Sequence, residues 1–468
     1  MTELIYKSAT FLAKAIREKE VSAVEVVTAH LNRIEVVNPT LNAVVQIATD
    51  RALAEAQAAD KALAQGEIVG PLHGVPVTIK DSLDTEGIIS TWGTTGRAKF
   101  IPEEDATPVA RLREAGAIVL GKSNTPELTL GGEMDNLVYG ATHNPYDLSK
   151  SPSGSSGGAA AIIAAGGAPL DLGSDIGGSI RSPSNVCGIA GIKPTALRVS
   201  RAGHTRTCGF GMMDNFNQVG PMARYVEDLT LTLPLIAGPD PRDPQIVPAP
   251  LGDPDAVHLE DLRIAYYIDG GLYPPVKAIA DVVRAVSSGL ADSGLNIQED
   301  APDALPQAAI LYPQMAFAEK GYALNRALVQ AGTKQAGPHY QRLLDEAETF
   351  ELIDYPLVLE ALDQFRRGMG HFMTRYHAII CPPEVYTAIP HRGTQTGTIA
   401  IDKYKMWAHM NAYNMTGWPA AVVRAGTTSD GLPVGVQIVA NAWREDIVLA
   451  LAQKIEEIFG GWQKSEVL

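Results

Sequence analysis

Cysteine is scarce. The chain has three, Cys187, Cys208 and Cys381, an odd number with no paired spacing. That usage supports neither a disulfide framework nor a CxxC metal site. The ten histidines contain no HExxH and no Cys/His pair at ligand spacing, and His371 and His377 do not share a helical face. His143 and His204 lie near functional segments only in sequence, so no metal or other cofactor is implied. Positive charge is also short, with 38 Lys and Arg against 53 Asp and Glu for a net charge of −15. Nucleic acid and anionic membranes call for clustered Lys and Arg that replace counterions, so the balance argues against both as partners. Long apolar runs are missing as well. The N-terminal MTELIYKSATFLAKAIREKE is amphipathic and carries both signs, unlike a signal peptide. The longest weakly polar run, Ala159 to Ala168, is too short to span a bilayer. A soluble, cytoplasmic protein is expected.

What is present is ordinary globular material, 46% hydrophobic and 19% charged. Length alone would suggest about three domains. No linker divides two cores, however, and residues 1–468 read as one unit. Helices fill roughly the first seventy residues. Ser22-Ala23-Val24-Glu25 fits a capping box, and an apolar face runs from Val24 to Ile34 until Asn38-Pro39 stops the helix. A second helix spans Ala52 to Leu63. Strand Val75 to Lys80 follows, then a helix opened by Thr107-Pro108 and closed at Gly116, then strand Ile118 to Leu120. This alternation indicates an α/β sheet with helices on its faces. Further on come a hydrophobic segment at Val219 to Ala237 and six prolines within Pro239 to Pro254, read as a rigid surface excursion. Helical patterns cover Val276 to Ala291 and Ala316 to Leu328. The chain closes with strand Ala378 to Cys381, a helix from Tyr404 to Met415, strand Val434 to Val439 and a helix from Ile447 to Ile458.

Glycine and serine are densest between Lys150 and Pro194, in KSPSGSSGGAAAIIAAGGAPLDLGSDIGGSIRSPSNVCGIAGIKP. Two clusters, 153–158 and 175–181, flank a small-residue run, Ala159 to Ala165, that reads as a buried helix. Glycines let the main chain adopt positive φ and approach a ligand closely. Successive amides in such a turn can converge on an oxyanion, with a serine at the end as nucleophile. A flexible linker would not enclose an Ala/Ile helix. Upstream, Val75, Val77 and Ile79 alternate with Pro76, Thr78 and Lys80, a strand pattern that sets Lys80 on the face opposite the aliphatics. Alone, such a lysine reads as an edge-strand charge.

Together, GVPVTIKD, SGSSGG and DIGGSIRSPSNVCGIAGIKPT, in this order and spacing, closely resemble the amidase signature family of serine hydrolases. The likeness runs over essentially the whole chain, to the closing GLPVGVQIV and GGW. It implies an α/β fold, a single large domain whose central mixed, twisted β-sheet is covered by helices on both faces. Within it, N-terminal helices would occupy residues 1–70, a signature core about 71–235, a variable substrate-entrance region about 239–376 and a C-terminal return 377–468. The resemblance further implies a triad of Lys80, Ser155 and Ser179, a cis peptide bond between Gly154 and Ser155, and a pocket lined by residues 121–145. In that lining, Thr129 matches a position whose backbone faces the scissile group. Ser153 departs from the family, which usually has glycine there.

The chemistry implied is hydrolysis of carboxamide C–N bonds through an acyl-enzyme on Ser179. Ser155 would relay the proton to an unprotonated Lys80, which burial favours. The amides of Ile176, Gly177, Gly178 and Ser179 would form the oxyanion hole. Asp175 and Arg181 read as a structural pair, Cys187 as a packed small hydrophobe and Ser156 as a hydrogen-bonding neighbour of Ser155. Aryl or alkyl acylamides are the expected substrates, with carbamates (urethanes) and esters open to the same attack. A basic pH optimum follows, and a homodimer is left open. Three alternatives compete. GxSxG at Gly154 to Gly158 fits an α/β-hydrolase esterase with Ser156 as nucleophile, although His73-Gly74-Val75 is no HGGG loop. A nucleotide-binding module would need G-x-x-x-x-G-K-[ST] or G-x-G-x-x-G after a strand, and neither occurs. The glutamine-hydrolysing subunit of a tRNA-dependent amidotransferase usually carries an Arg-rich segment ending in Gly-Thr-Tyr. Phe365-Arg366-Arg367-Gly368-Met369-Gly370-His371 does not match it.

Overall fold

The capping box forms as expected: the Glu25 amide donates to Ser22 Oγ at 3.1 Å and the Ser22 amide to Glu25 Oε2 at 2.8 Å. Both orphan donors at the helix start are thereby satisfied. Ser22→Ala is expected to cost about 1 kcal/mol in urea unfolding with an unchanged m-value. The helix, Ala23–Leu41, runs past the proline expected to stop it. Pro39 sits in the last turn, where it removes a single bond. The true stop is Asn42, in the left-handed region at φ 51°. The Asn38 side chain accepts from the amides of Ala43 and Val44, both at 2.8 Å.

In this computed structural model the chain is described over residues 3–205, 211–351, 354–391 and 403–468. Cys208 lies outside them. The strands are β1 Val44–Ile47, β2 Pro76–Lys80, β3 Ile118–Ser123, β4 Leu170–Asp175, β5 Ala190–Lys193, β6 Gln218–Ala223, β7 Arg263–Tyr266, β8 Asn296–Glu299, β9 Ala378–Cys381, β10 Ala420–Thr427 and β11 Pro433–Ala440. Among the described residues they form one 11-stranded sheet in the order β1-β3-β2-β4-β6-β5-β10-β11-β9-β7-β8. The sheet is mixed. β2 pairs parallel with β3 and β4, whereas β4, β6, β5, β10 and β11 run antiparallel to their neighbours in turn. Helices flank the sheet, and the α/β fold expected from the sequence is present as one domain.

The largest core packs Val75, Val77 and Ile79 of the β2 segment with Leu229 and Leu233 of helix Val226–Ile236 and Val448 and Leu451 of helix Glu445–Phe459. A second core joins Phe365 and Met369 to Tyr413 and Val439. Among the described residues, no helix is long and apolar enough to cross a membrane.

Several elements differ from expectation. β1 is a strand where the sequence predicts only helices; four residues between two helices give little periodicity, and the strand exists because β3 supplies its partner. The helix expected over Ala316 to Leu328 is two, Ala308–Ala316 and Tyr322–Gln330, parted by a turn that ends at Gly321 with φ 74°. The helix expected from Tyr404 is Lys403–Met406 followed by Ala408–Met415, broken at Trp407. β2 is an interior strand, buried at every position, which removes the edge-strand account of Lys80.

Candidate active site

β2 and β4 are neighbouring parallel strands, so their C-terminal ends bring Lys80 and the Ser174-Asp175 pair to one place. In open α/β sheets that end of the strands is where ligands bind. Loop 151–156 leads into the buried helix Gly157–Ala164. Close packing requires glycine here: a Cβ on Gly158 would lie 2.4 Å from the Asn124 backbone N. The Gly154–Ser155 peptide bond is cis, and Thr125 Oγ1 donates to the Ser155 carbonyl at 3.0 Å.

Lys80 is fully buried. Its Nζ lies 2.7 Å from Ser155 Oγ, 3.0 Å from Ser156 Oγ and 3.0 Å from Ser174 Oγ. Three neutral hydroxyls thus surround the amine. An uncharged amine, with two N–H donors and one lone pair, can satisfy all three contacts by accepting from Ser155. Ser156 is spent within this cluster: its hydroxyl donates to the Ser174 carbonyl and accepts from the Ser174 amide, both at 3.3 Å. It is fully buried and does not border the cavity. A nucleophile elbow would present it to substrate, so this geometry speaks against the esterase alternative.

The second cluster meets the first through the Ser156 amide, which donates to the Ser179 carbonyl at 3.2 Å. Ser179 borders a cavity together with Thr129, Ile176, Gly177 and Gly178; of the expected lining segment 121–145 only residues 129–133 border it, and Ser155 and Lys80 lie behind the wall. Among the described residues the Ser179 hydroxyl makes no hydrogen bond, and the amides of Ile176, Gly177 and Ser179 donate to nothing. The Gly178 amide differs from its neighbours because it donates to Asp175 Oδ1 at 2.8 Å. Three unspent donors therefore remain at the turn.

Asp175 and Arg181 form a two-point ion pair, Nη2 to Oδ1 and Nε to Oδ2 both at 2.9 Å, with neither side chain exposed. Burial pushes the Asp175 carboxyl up, but the Arg181 charge and hydrogen bonds from Arg181 and Asn414 outweigh it and hold it well below the usual carboxylate range. Arg181 also donates to the Met410 carbonyl and Gln437 Oε1. The pair ties the turn to two distant segments, a structural role. Cys187 is buried, and burial pushes its thiol up, as befits a packed hydrophobe. His143 and His204 do not line the cavity.

Several residues here escape the sequence reading. Ser174 completes the cage around Lys80, Tyr312 Oη donates to the Ile176 carbonyl at 3.0 Å, and Asn411 Nδ2 donates to the Gly177 carbonyl at 2.8 Å. His339, Trp407 and Glu384 border the cavity. Most lie far along the chain with no local pattern to single them out. Ser174 alone had a signal, as a hydroxyl beside the second cluster.

Comparison with known proteins identifies the family and the fold. A family model described as Amidase matches residues 25–449. The chain is 35% identical to the indoleacetamide hydrolase of Bradyrhizobium diazoefficiens, covering 97% of this chain and 86% of that protein. It is 33% identical to a glutamyl-tRNA(Gln) amidotransferase subunit of Chloroflexus aurantiacus over 98% of both. Among solved structures, 6-aminohexanoate cyclic dimer hydrolase in complex with substrate superposes with a TM-score of 0.87 at 26% identity, covering 99% of each chain. By family match, by relatives and by fold, the chain belongs to the amidase signature family.

Proposed function

We propose that the protein is a stand-alone serine amidohydrolase that cleaves carboxamide C–N bonds through an acyl-enzyme on Ser179. The observation that carries this reading is the buried contact of Lys80 Nζ with Ser155 Oγ at 2.7 Å, beside a cavity bordered by Ser179. Ser179 Oγ attacks the carbonyl carbon, passes its proton to Ser155, and Ser155 passes its own to Lys80. The negative oxygen that forms is met by the amides of Ile176, Gly177 and Ser179, while Gly178, committed to Asp175, shapes the turn. Collapse breaks the C–N bond as the proton returns along the same hydroxyl to the leaving nitrogen. Water then repeats the sequence on the acyl-enzyme. A protonated amine has no lone pair to accept the first proton, so the rate falls as pH drops.

Substrate entrance is assigned to the variable region 239–376. The segments Ala308–Ala316, Tyr322–Gln330 and Pro338–Thr349 supply Tyr312, Leu324, His339 and Leu343 to the cavity wall. With Met213 and Phe317 they make it mainly apolar, which suits aryl or alkyl acylamides and their carbamate counterparts.

The second reading is a glutamine-hydrolysing amidotransferase subunit, favoured by the 33% identity to such a protein. Against it stands the Phe365 to His371 stretch. It lies on helix Tyr355–Phe372 with Phe365 and Met369 buried in a core, and none of it borders the cavity. A panel of chromogenic anilides, carbamates, esters and free glutamine decides the matter. Turnover of anilides with glutamine inert is expected. Glutaminase activity as the dominant reaction, or a partner subunit that copurifies, would overturn the stand-alone reading.

A further inference from the structure

Ser153 stands at the cavity wall in the left-handed backbone region, φ 57°, which a glycine would occupy with less strain. Its hydroxyl is 2.6 Å from Ser182 Oγ, and Ser182 in turn donates to both oxygens of Glu384 at 2.9 and 3.0 Å. Glu384 is fully buried, and Asn185 Nδ2 donates to its Oε1 at 2.8 Å. The Asn185 amide cannot turn round, because its Oδ1 accepts the Gly435 amide at 2.7 Å. The groups facing Glu384 are Ser182, Asn185 and the Trp407 indole, none of them charged.

The direction of this chain follows from proton counting. A carboxylate only accepts, so Ser182 spends its one proton on Glu384 and takes the proton of Ser153 in return. Ser153 then shows the cavity lone pairs and no hydrogen. We propose that Ser153 is a substrate-recognition residue that accepts a hydrogen bond from an N–H of the substrate, and that Glu384 is the positioning residue that sets its polarity through Ser182. The inference rests on the amidohydrolase reading and narrows it to N–H-bearing amides and carbamates over esters of the same acyl group. An ester presents oxygen where the amide presents N–H, and two sets of lone pairs then face each other.

The test uses 4-nitroacetanilide and 4-nitrophenyl acetate at pH 8.5, above the value of about 7 to which burial raises Glu384. Ser153→Ala is expected to lower kcat/KM for the anilide about tenfold while the ester stays within about twofold. Ser153→Gly, which suits the left-handed backbone, should do the same and stands in if the alanine variant folds poorly. Glu384→Gln, whose amide can donate to Ser182 and reverse the chain, should shift the anilide-to-ester ratio in the same direction. An unchanged ratio in both Ser153 variants, or an equal fall on both substrates, overturns the proposal. Hydrolysis of both substrates that survives Ser179→Ala would instead sink the parent reading, which keeps the two failures apart.

Discussion

Ser179→Ala should leave a folded protein whose kcat on a chromogenic anilide is lower by a factor of about 10⁴ to 10⁶. The stability cost should be within about 0.5 kcal/mol, because the hydroxyl has no hydrogen-bond partner among the described residues and the site is only half-buried. Ser156→Ala should divide its effects differently. It removes one of the three hydroxyls around Lys80 from a fully buried place, so about 1 kcal/mol of stability is lost. Turnover should fall by about 10- to 100-fold as the amine gains freedom. Burst kinetics with 4-nitrophenyl acetate, followed by mass spectrometry of the trapped acyl-enzyme, distinguish the two. An acyl group on Ser156, or a Ser179→Ala variant that still shows a burst, would refute the assignment of the nucleophile.

Arg181→Ala should be the most damaging single change to stability, at about 3–5 kcal/mol. It strands the Asp175 carboxylate in a site with no exposure and leaves Asn414 as its main remaining side-chain partner. The effect has a pH signature. In the wild type the Asp175 carboxyl titrates well below its unfolded value of about 3.9. Its contribution is therefore present above that value and lost as pH falls through the lower, folded one. Without Arg181, burial becomes the ruling influence and raises the carboxyl, so the variant gains relative stability on protonation. Urea denaturation of both proteins should show the largest gap at pH 7.5 and a smaller one at pH 4. A gap that does not change with pH would mean that Arg181 acts through its contacts to the Met410 carbonyl and Gln437 rather than through charge. Activity should fall with stability, since Asp175 also holds the amides of Gly178 and Ile180 that shape the turn.

Much of the site was legible in the chain because its demands are local. A turn of unspent amides needs bare backbone at consecutive positions, and Gly177-Gly178 before Ser179 writes that need into adjacent letters. The Gly157-Gly158 pair does the same where a helix must touch the Asn124 backbone. The capping box at Ser22 and the strand ending in Lys80 are likewise settled by neighbours within a turn or a pleat. Tertiary structure decided what neighbours cannot. Whether Lys80 lies at an edge or in the interior depends on β3 and β4 flanking β2, an order set by chain crossovers dozens of residues long. β1 is a strand only because β3 offers it a partner, and the expected helix over Ala316 to Leu328 breaks at a turn around Gly321. Glu384 reaches Ser182 across 202 residues of chain. The division has one physical cause: backbone conformation is governed by forces that act over a few residues, whereas burial and side-chain pairing depend on which distant segments the sheet brings together.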